Sequence, residues 1–150
     1  MVIYSRRAKE SDVASLGELN HQLIQDEGHS NPMTVPQLQE RMRDWLAGDY
    51  EATLFESEGE VVAYALYREE PDLIYLRQLY VQRHCRRQGL GREALRLLRA
   101  EVWPTNKRLT VEVLSGNEAA ISFYKSAGFR DYCVTLEIPG DESASRQRRS

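Results

Sequence analysis

The sequence is poor in cysteine and histidine and has no long apolar run, and each shortage excludes a class of protein. Cys85 and Cys133 make neither a CxxC pair nor any metal-ligand spacing, so two reduced thiols are expected. Only three histidines occur, His21, His29 and His84, and no zinc site is expected. No stretch reaches the roughly 18 apolar residues of a membrane span. The opening residues Met1-Val2-Ile3-Tyr4-Ser5-Arg6 lack the apolar stretch of a signal peptide, which makes the cytoplasm the expected location. A net charge of −3 argues against bulk nucleic-acid binding, which usually needs a basic domain.

What is present suits one globular domain. The chain has 150 residues, 41% of them hydrophobic, enough to bury a core. A short strand begins at Val2-Ile3-Tyr4. Ser11-Asp12 can cap a helix carrying Val13, Leu16, Leu19, Leu23 and Ile24 at spacings of three and four. Thr34 can cap a second helix, with Leu38, Met42, Trp45 and Leu46 on one face. From Tyr50 the period changes to two. Residues 52–56 and 61–67 read as a hairpin, and Leu73 to Val81 as a further strand. A helix is expected over 90–103, a strand over 109–114, a helix over 117–127 closed by Gly128, and a last strand over 131–138. The order β-α-α-β-β-β-α-β-α-β predicts an α/β fold with a mixed sheet and helices on both faces. The domain is expected to span 1–139, with a polar, disordered tail over 140–150.

Charge is unevenly placed. Residues 82–99 hold six arginines and one acid, a local excess of +5 in an acidic protein. Such a patch suits a polyanionic ligand or is simply solvated. Within it, Arg86-Arg87-Gln88-Gly89-Leu90-Gly91-Arg92 lies between a strand and a helix. Glycine lets the backbone turn tightly and approach a ligand. The first-turn amides of the helix have no internal partner, and its dipole favours an anion there. A diphosphate fits. Gly91 is followed by Arg92-Glu93 rather than Lys-Ser/Thr, which excludes a Walker loop. A dinucleotide fingerprint is the stronger rival, since residues 89–94 fit G-x-G-x-x-A and Glu112 follows about 20 residues later. The polar connection over 82–88 and the few β-α units weigh against it.

A second motif lies downstream: Asn117-Glu118-Ala119-Ala120-Ile121-Ser122-Phe123-Tyr124-Lys125-Ser126-Ala127-Gly128-Phe129. With the glycine loop, this stretch resembles the GNAT superfamily of acetyl-coenzyme A-dependent N-acetyltransferases. That family's motifs, Arg/Gln-x-x-Gly-x-Gly/Ala and Asn-x-x-Ala-x-x-Phe/Leu-Tyr-x-x-x-Gly-Phe, both stand here without a mismatch. The resemblance implies acetyl-coenzyme A as acetyl donor and an amine of a small molecule or peptide as acceptor. It implies that the backbone of Leu79, Tyr80 and Val81 pairs with the pantetheine arm. The loop of Arg86, Arg87, Gln88, Gly89, Leu90, Gly91 and Arg92 then holds the pyrophosphate, and Asn117 contacts the cofactor arm. Tyr124 sits beside the sulfur as proton donor, with packing as the alternative.

The base is open. Family members that carry a Glu in the strand before the loop have no counterpart here, where Leu76-Arg77-Gln78-Leu79 stands. Glu112, five residues before Asn117, has the spacing of the other family arrangement. It alternates with Val111 and Val113, and a salt-bridged surface glutamate is its other reading. On the acceptor side, Asp26, Glu27 and His29 follow the first helix. Asp26 and Glu27 suit a cationic amine or are simply helix-end carboxylates. His29 is a second candidate base. Arg77 and Arg41 suit a carboxylate if the acceptor is an amino acid or peptide. A non-catalytic acyl-coenzyme A-binding module with the same fold is the alternative function, and a sheet edge beside the last strand would suit a homodimer.

Overall fold

The structure is a computed structural model and describes residues 1–28 and 31–141. Among them, five strands and four α-helices occur in the order β1 (Tyr4–Arg7), α1 (Val13–Asp26), α2 (Val35–Ala47), β2 (Tyr50–Ser57), β3 (Glu60–Glu69), β4 (Leu73–Val81), α3 (Leu90–Leu97), β5 (Arg108–Val111) and α4 (Glu118–Ser126). The sheet order is β1-β2-β3-β4-β5, antiparallel except for the parallel pair β4–β5. The expected mixed α/β sheet is therefore present. The chain divides into two compact units, Met1–Glu118 and the remainder from Ala119.

In the first unit both faces of the central strands are covered. Ala52, Leu54, Tyr64, Leu66 and Tyr80 form one core cluster with Val13, Leu16 and Leu19 of α1 and Met42 of α2. On the opposite face Tyr67 meets Trp103 edge-on at 5.2 Å, and α3 buries Leu90, Ala94, Leu95 and Leu97. Burial on both sides explains why β3 is apolar from Val62 to Tyr67 instead of strictly alternating.

Thr34 caps α2 as expected. Its hydroxyl accepts from the Gln37 amide at 3.3 Å, and the Gln37 side chain accepts from the Thr34 amide at 2.9 Å. Asp12 differs from the expectation. Its carboxylate makes no cap bond to α1; it accepts from the Lys9 amide at 2.7 Å and pairs with Arg6, tying the helix entry to β1. The helix expected over 90–103 runs as α3 to Leu97 and then as one π-helical turn, Leu98–Val102.

Two strand expectations are corrected. β5 ends at Val111 rather than 114, because β4 pairs with it only from Leu73 to Leu76, leaving 112–114 no ladder partner. The strand expected over 131–138 does not form. Alternation of Tyr132, Val134, Leu136 and Ile138 supplies an apolar face, but a strand also needs an edge to bond, and these four side chains are exposed. The tail expected over 140–150 lies outside the described residues from 142 onward.

The α1–α2 contact depends on a missing Cβ. A Cβ at Gly17 would stand 2.9 Å from the Gln39 backbone nitrogen and Cα, too close for a side-chain shift to relieve. Gly17→Ala is expected to destabilise the protein by about 1–3 kcal/mol despite alanine's better helix propensity. Urea unfolding checks this; an unchanged or raised midpoint would refute the close contact.

Candidate functional site

Strand β4 has unequal edges. Its β3 edge is paired from Ile74 to Val81, whereas its β5 edge is paired only to Leu76. Beyond that point no strand among the described residues bonds the second edge. A bulge marks the divergence: Leu66 pairs with Gln78 and Tyr67 with Leu76, so Arg77 has no opposite residue. Leu79 and Val81 are half-buried and Tyr80 is buried, which fixes the strand while one backbone edge keeps its bonding capacity.

The chain then turns through a short 3-10 segment, Arg83–Cys85, into the arginine-rich loop. Arg87 (φ 63°) and Gly89 (φ 73°) are both left-handed. Gly89 is the N-cap of α3 and offers no side-chain cap. A left-handed Gly89 followed by helical Leu90 turns successive amides toward a common point, a concavity suited to an anion. No heavy atom outside its chain neighbours lies within 4 Å of a Cβ built at Gly89, so its glycine requirement is conformational. Gln88 and Arg92 are exposed beside it, and Leu90 is buried.

The loop is anchored through Asp26 at the end of α1. Arg83 Nε donates to Asp26 Oδ1 at 2.7 Å, Arg86 Nη2 donates to Oδ2 at 2.5 Å, and the Tyr80 hydroxyl donates to Oδ2 at 3.2 Å. Arg86 also lies 5.3 Å from the Tyr80 ring centre, and its Nε donates to the Val81 carbonyl at 3.0 Å. Burial alone would raise the Asp26 pKa; the two guanidinium groups outweigh it and hold the carboxyl below its usual range. Asp26 is thus already neutralised by cations. Its partners lie 57 and 60 residues away, a separation that leaves no sequence signal.

A second cluster lies where α1 and α2 face β3 and β4. The guanidinium groups of Arg41 and Arg77 stand 4.4 and 4.7 Å from the Trp45 ring centre, and Arg68 covers Tyr50 and Tyr75 at 5.4 and 5.0 Å. Both Arg68 and Arg77 donate to the Tyr50 hydroxyl, at 3.2 and 3.3 Å. Arg77 is the sequence candidate for an acceptor carboxylate; the convergence of Trp45, Tyr50 and Arg68 with it has no local signal, because these residues come from different elements.

With loop, strand edge and anchor in place, comparison with known proteins is decisive. Residues 20–129 match the model of the acetyltransferase (GNAT) family. The chain belongs to the GNAT acetyltransferase family. It is accordingly an acyltransferase whose donor is acetyl-coenzyme A, which excludes the dinucleotide reading of the glycine loop. None of the curated proteins matches. A possible acetyltransferase from Clostridium difficile 630 superposes with TM-score 0.77 at 18% identity, covering 94% of this chain and 99% of that one. A predicted acetyltransferase from Clostridium acetobutylicum, solved with acetyl-CoA, superposes with TM-score 0.71 at 19% identity, covering 92% and 96%. An aminoglycoside N-acetyltransferase in complex with CoA gives TM-score 0.74 at 12% identity, covering 93% and 95%. At these identities the likeness is one of fold.

The GNAT residues outside the loop fall as follows. Glu112 is exposed one position past β5, and Val111 and Val113 flank it half-buried, the alternation expected. The Tyr75 pKa is raised, first by burial and next by the charge of Glu112, so that carboxylate lies close enough to be felt there. The Asn117 amide donates to the Leu114 carbonyl at 2.9 Å. Glu27 is the C-cap of α1, its amide bonded to the Leu23 carbonyl at 3.0 Å. His29 lies outside the described residues.

In the second unit the Gly-Phe end of the motif has a structural cause. The Phe129 amide donates to the Tyr124 carbonyl at 3.0 Å and the Gly128 amide to the Lys125 carbonyl at 3.1 Å, a Schellman closure of α4. Gly128 supplies the positive φ of 106°. Nothing crowds its Cβ position, so its glycine requirement is that of the helix closure expected there. Phe129 folds back onto Tyr124 at 5.2 Å, edge-on, while Phe123 flanks the same ring at 5.1 Å. Two aromatic rings thereby limit where the Tyr124 phenol can point.

No helix among the described residues is long and apolar enough to cross a membrane. No group of His, Cys, Asp and Glu side chains among them is arranged to hold a metal.

The Asp26 anchor has a pH signature. Because its folded pKa is depressed, its stabilisation is present above the ordinary carboxylate range and disappears as pH falls through the lowered value. Wild type is therefore expected to exceed Asp26→Asn in urea midpoint at about pH 6, with the gap closing toward about pH 3. A gap independent of pH would refute the charged anchor.

Proposed function

We propose that this GNAT protein transfers the acetyl group of acetyl-coenzyme A to a primary amine of a small molecule or peptide, with residues 1–139 as the transferase domain. The observation that carries the reading is the edge of β4 that no strand among the described residues bonds, leading directly into the anion-suited loop. An extended amide-bearing arm is matched by backbone groups at Leu79, Tyr80 and Val81, in the manner of an added strand. The backbone of residues 86–92 holds the pyrophosphate through charge-assisted amide bonds, and Arg87 and Arg92 add attraction. Asp26 contributes indirectly, by fixing Arg86 and Tyr80. Asn117 contacts the arm through its side-chain amide.

The bound donor supplies an acetyl group activated as a thioester. The protein has to manage two protons. An amine attacks only when neutral, so Glu112 takes the proton of the ammonium, directly or through a water. Tyr124 gives its phenolic proton to the sulfur as it leaves. A placed proton donor typically contributes about 10²–10⁴-fold. Support for Glu112 is its exposure and its place past the end of β5; support for Tyr124 is the motif and the aromatic ring pair that orients it.

Thiol release from acetyl-coenzyme A is expected with at least one member of a broad amine panel, and silence across the panel would count against transfer to amines. Tyr124→Phe should lower kcat by about 10²-fold or more while acetyl-coenzyme A binding, followed by calorimetry, is retained. Glu112→Gln should remove the acidic limb of the kcat/KM profile; an unchanged limb and turnover would eliminate Glu112 as base.

A further inference from the structure

We infer that the acceptor amine carries a carboxylate, and that Arg41 of α2 and Arg77 of the β4 bulge bind it beside Trp45. The inference rests on the acetyl-transfer reading above and names the substrate class of that site. Three guanidinium groups, Arg41, Arg68 and Arg77, crowd the rings of Trp45, Tyr50 and Tyr75. Among the described residues the only acid within ion-pair distance of any of them is Glu70, 3.8 Å from Arg68. Arg41 and Arg77 therefore both lie against the Trp45 ring, and neither has an acid among the described residues within ion-pair distance. Glu40 and Asp44 border a surface depression with Arg41, yet neither pairs with it.

The polar groups beneath this pair are also incompletely satisfied. Arg41 Nη2 donates to Asn20 Oδ1 at 2.9 Å, but Arg41 Nε is buried without a partner. Arg68 Nε is likewise buried without a partner, whereas Asn20, fully buried, also hydrogen-bonds the Tyr64 phenol. Native proteins seldom leave buried donors unpaired, so the surroundings of the two arginines are short of acceptors. The Arg41 pKa is pushed down, first by burial and then by the Arg77 charge, the direction expected where negative charge is missing. Planar guanidinium groups stacked on an indole ring are pre-organised for the two oxygens of a carboxylate.

Position supports the assignment. Arg77 lies two residues before Leu79 along β4, so the pair sits just upstream of the strand edge assigned to the donor's arm. The charges of Glu112 and Arg77 both act on the Tyr75 phenol, the first raising and the second lowering its pKa beside the larger effect of burial. An α-amino acid or a short peptide places its carboxylate a few bonds from its amine, matching a basic clamp and a carboxylate base in one neighbourhood.

The test compares free α-amino acids and dipeptides with their C-terminal amides as acceptors in the thiol-release assay. Free acids are expected to have kcat/KM about 10- to 100-fold above the amides, the range for losing a charged hydrogen-bonded pair. Arg77→Gln and Arg41→Gln should abolish the preference, with Arg77→Lys restoring part of it. A wild type that acetylates amides as well as acids, or variants that slow both equally, would overturn the carboxylate site while leaving amine acetylation intact. A second measurement is independent of turnover: calorimetric binding of N-acetylglycine and N-acetylglycinamide to the protein saturated with coenzyme A. Preferential binding of the acid, lost in Arg77→Gln, supports the site even if no acceptor is turned over, in which case the transfer reading alone fails. Equal binding of the two compounds, or binding indifferent to Arg77→Gln, rejects the site.

Discussion

The structure depends on the unequal pairing of β4. One edge is paired with β3 through seven residues; the other is paired with β5 through four and then is left by it. A strand that lost both partners would fray, and one that kept both would have no backbone groups to offer. The β3 pairing and the buried Tyr80 hold the second half of β4 in extended form while its other edge keeps its donors and acceptors. The bulge at Arg77 coincides with the end of the β5 ladder, and it turns a cation toward the ring cluster of Trp45 and Tyr50 at the point where the strands separate.

Two groups of arginines then flank the second half of this strand, and their surroundings differ. Arg83 and Arg86 share the single charge of Asp26, which makes them scaffolding for the loop. Arg41 and Arg77 lack such a partner and rest on aromatic rings. The distinction matters because a guanidinium already paired with a carboxylate has less to give a second anion than the half-buried Arg41 and the exposed Arg77, which pair with no acid among the described residues. Net charge would not separate the two groups; only their neighbours do.

The α4 motif is a case in which a signature has a folding reason and a chemical one at once. Gly128 and Phe129 close the helix by a Schellman motif, and the same closure brings the Phe129 ring onto Tyr124. The residues that end the helix also restrain the phenol, so the spacing Tyr-x-x-x-Gly-Phe follows from one backbone geometry.

Much of this was legible in the chain. The helices of α1 and α2, the Thr34 cap, the β2–β3 hairpin, the limits of β4 and the anion character of residues 86–92 rest on spacings of two to four residues, and local sterics and hydrogen bonding set those directly. The Asn117–Phe129 motif decided the cofactor class for the same reason, being a short pattern with a local cause. Other features had no local cause. The apolar alternation at 131–138 defined a face but not a partner, and no strand formed. Asp26 and Glu27 looked alike as helix-end acids, yet one is clasped by two arginines some sixty residues away and the other ends a helix. The bulge at Arg77, the convergence of Arg41, Arg77 and Trp45, and the early end of β5 arise from register between strands and from packing of helices on them. Sequence by itself therefore determined most of the elements, the donor and the place of the glycine loop; tertiary structure alone decided which charges are spent on the fold and which stay unpaired, because that depends on contacts between distant residues that no local spacing encodes.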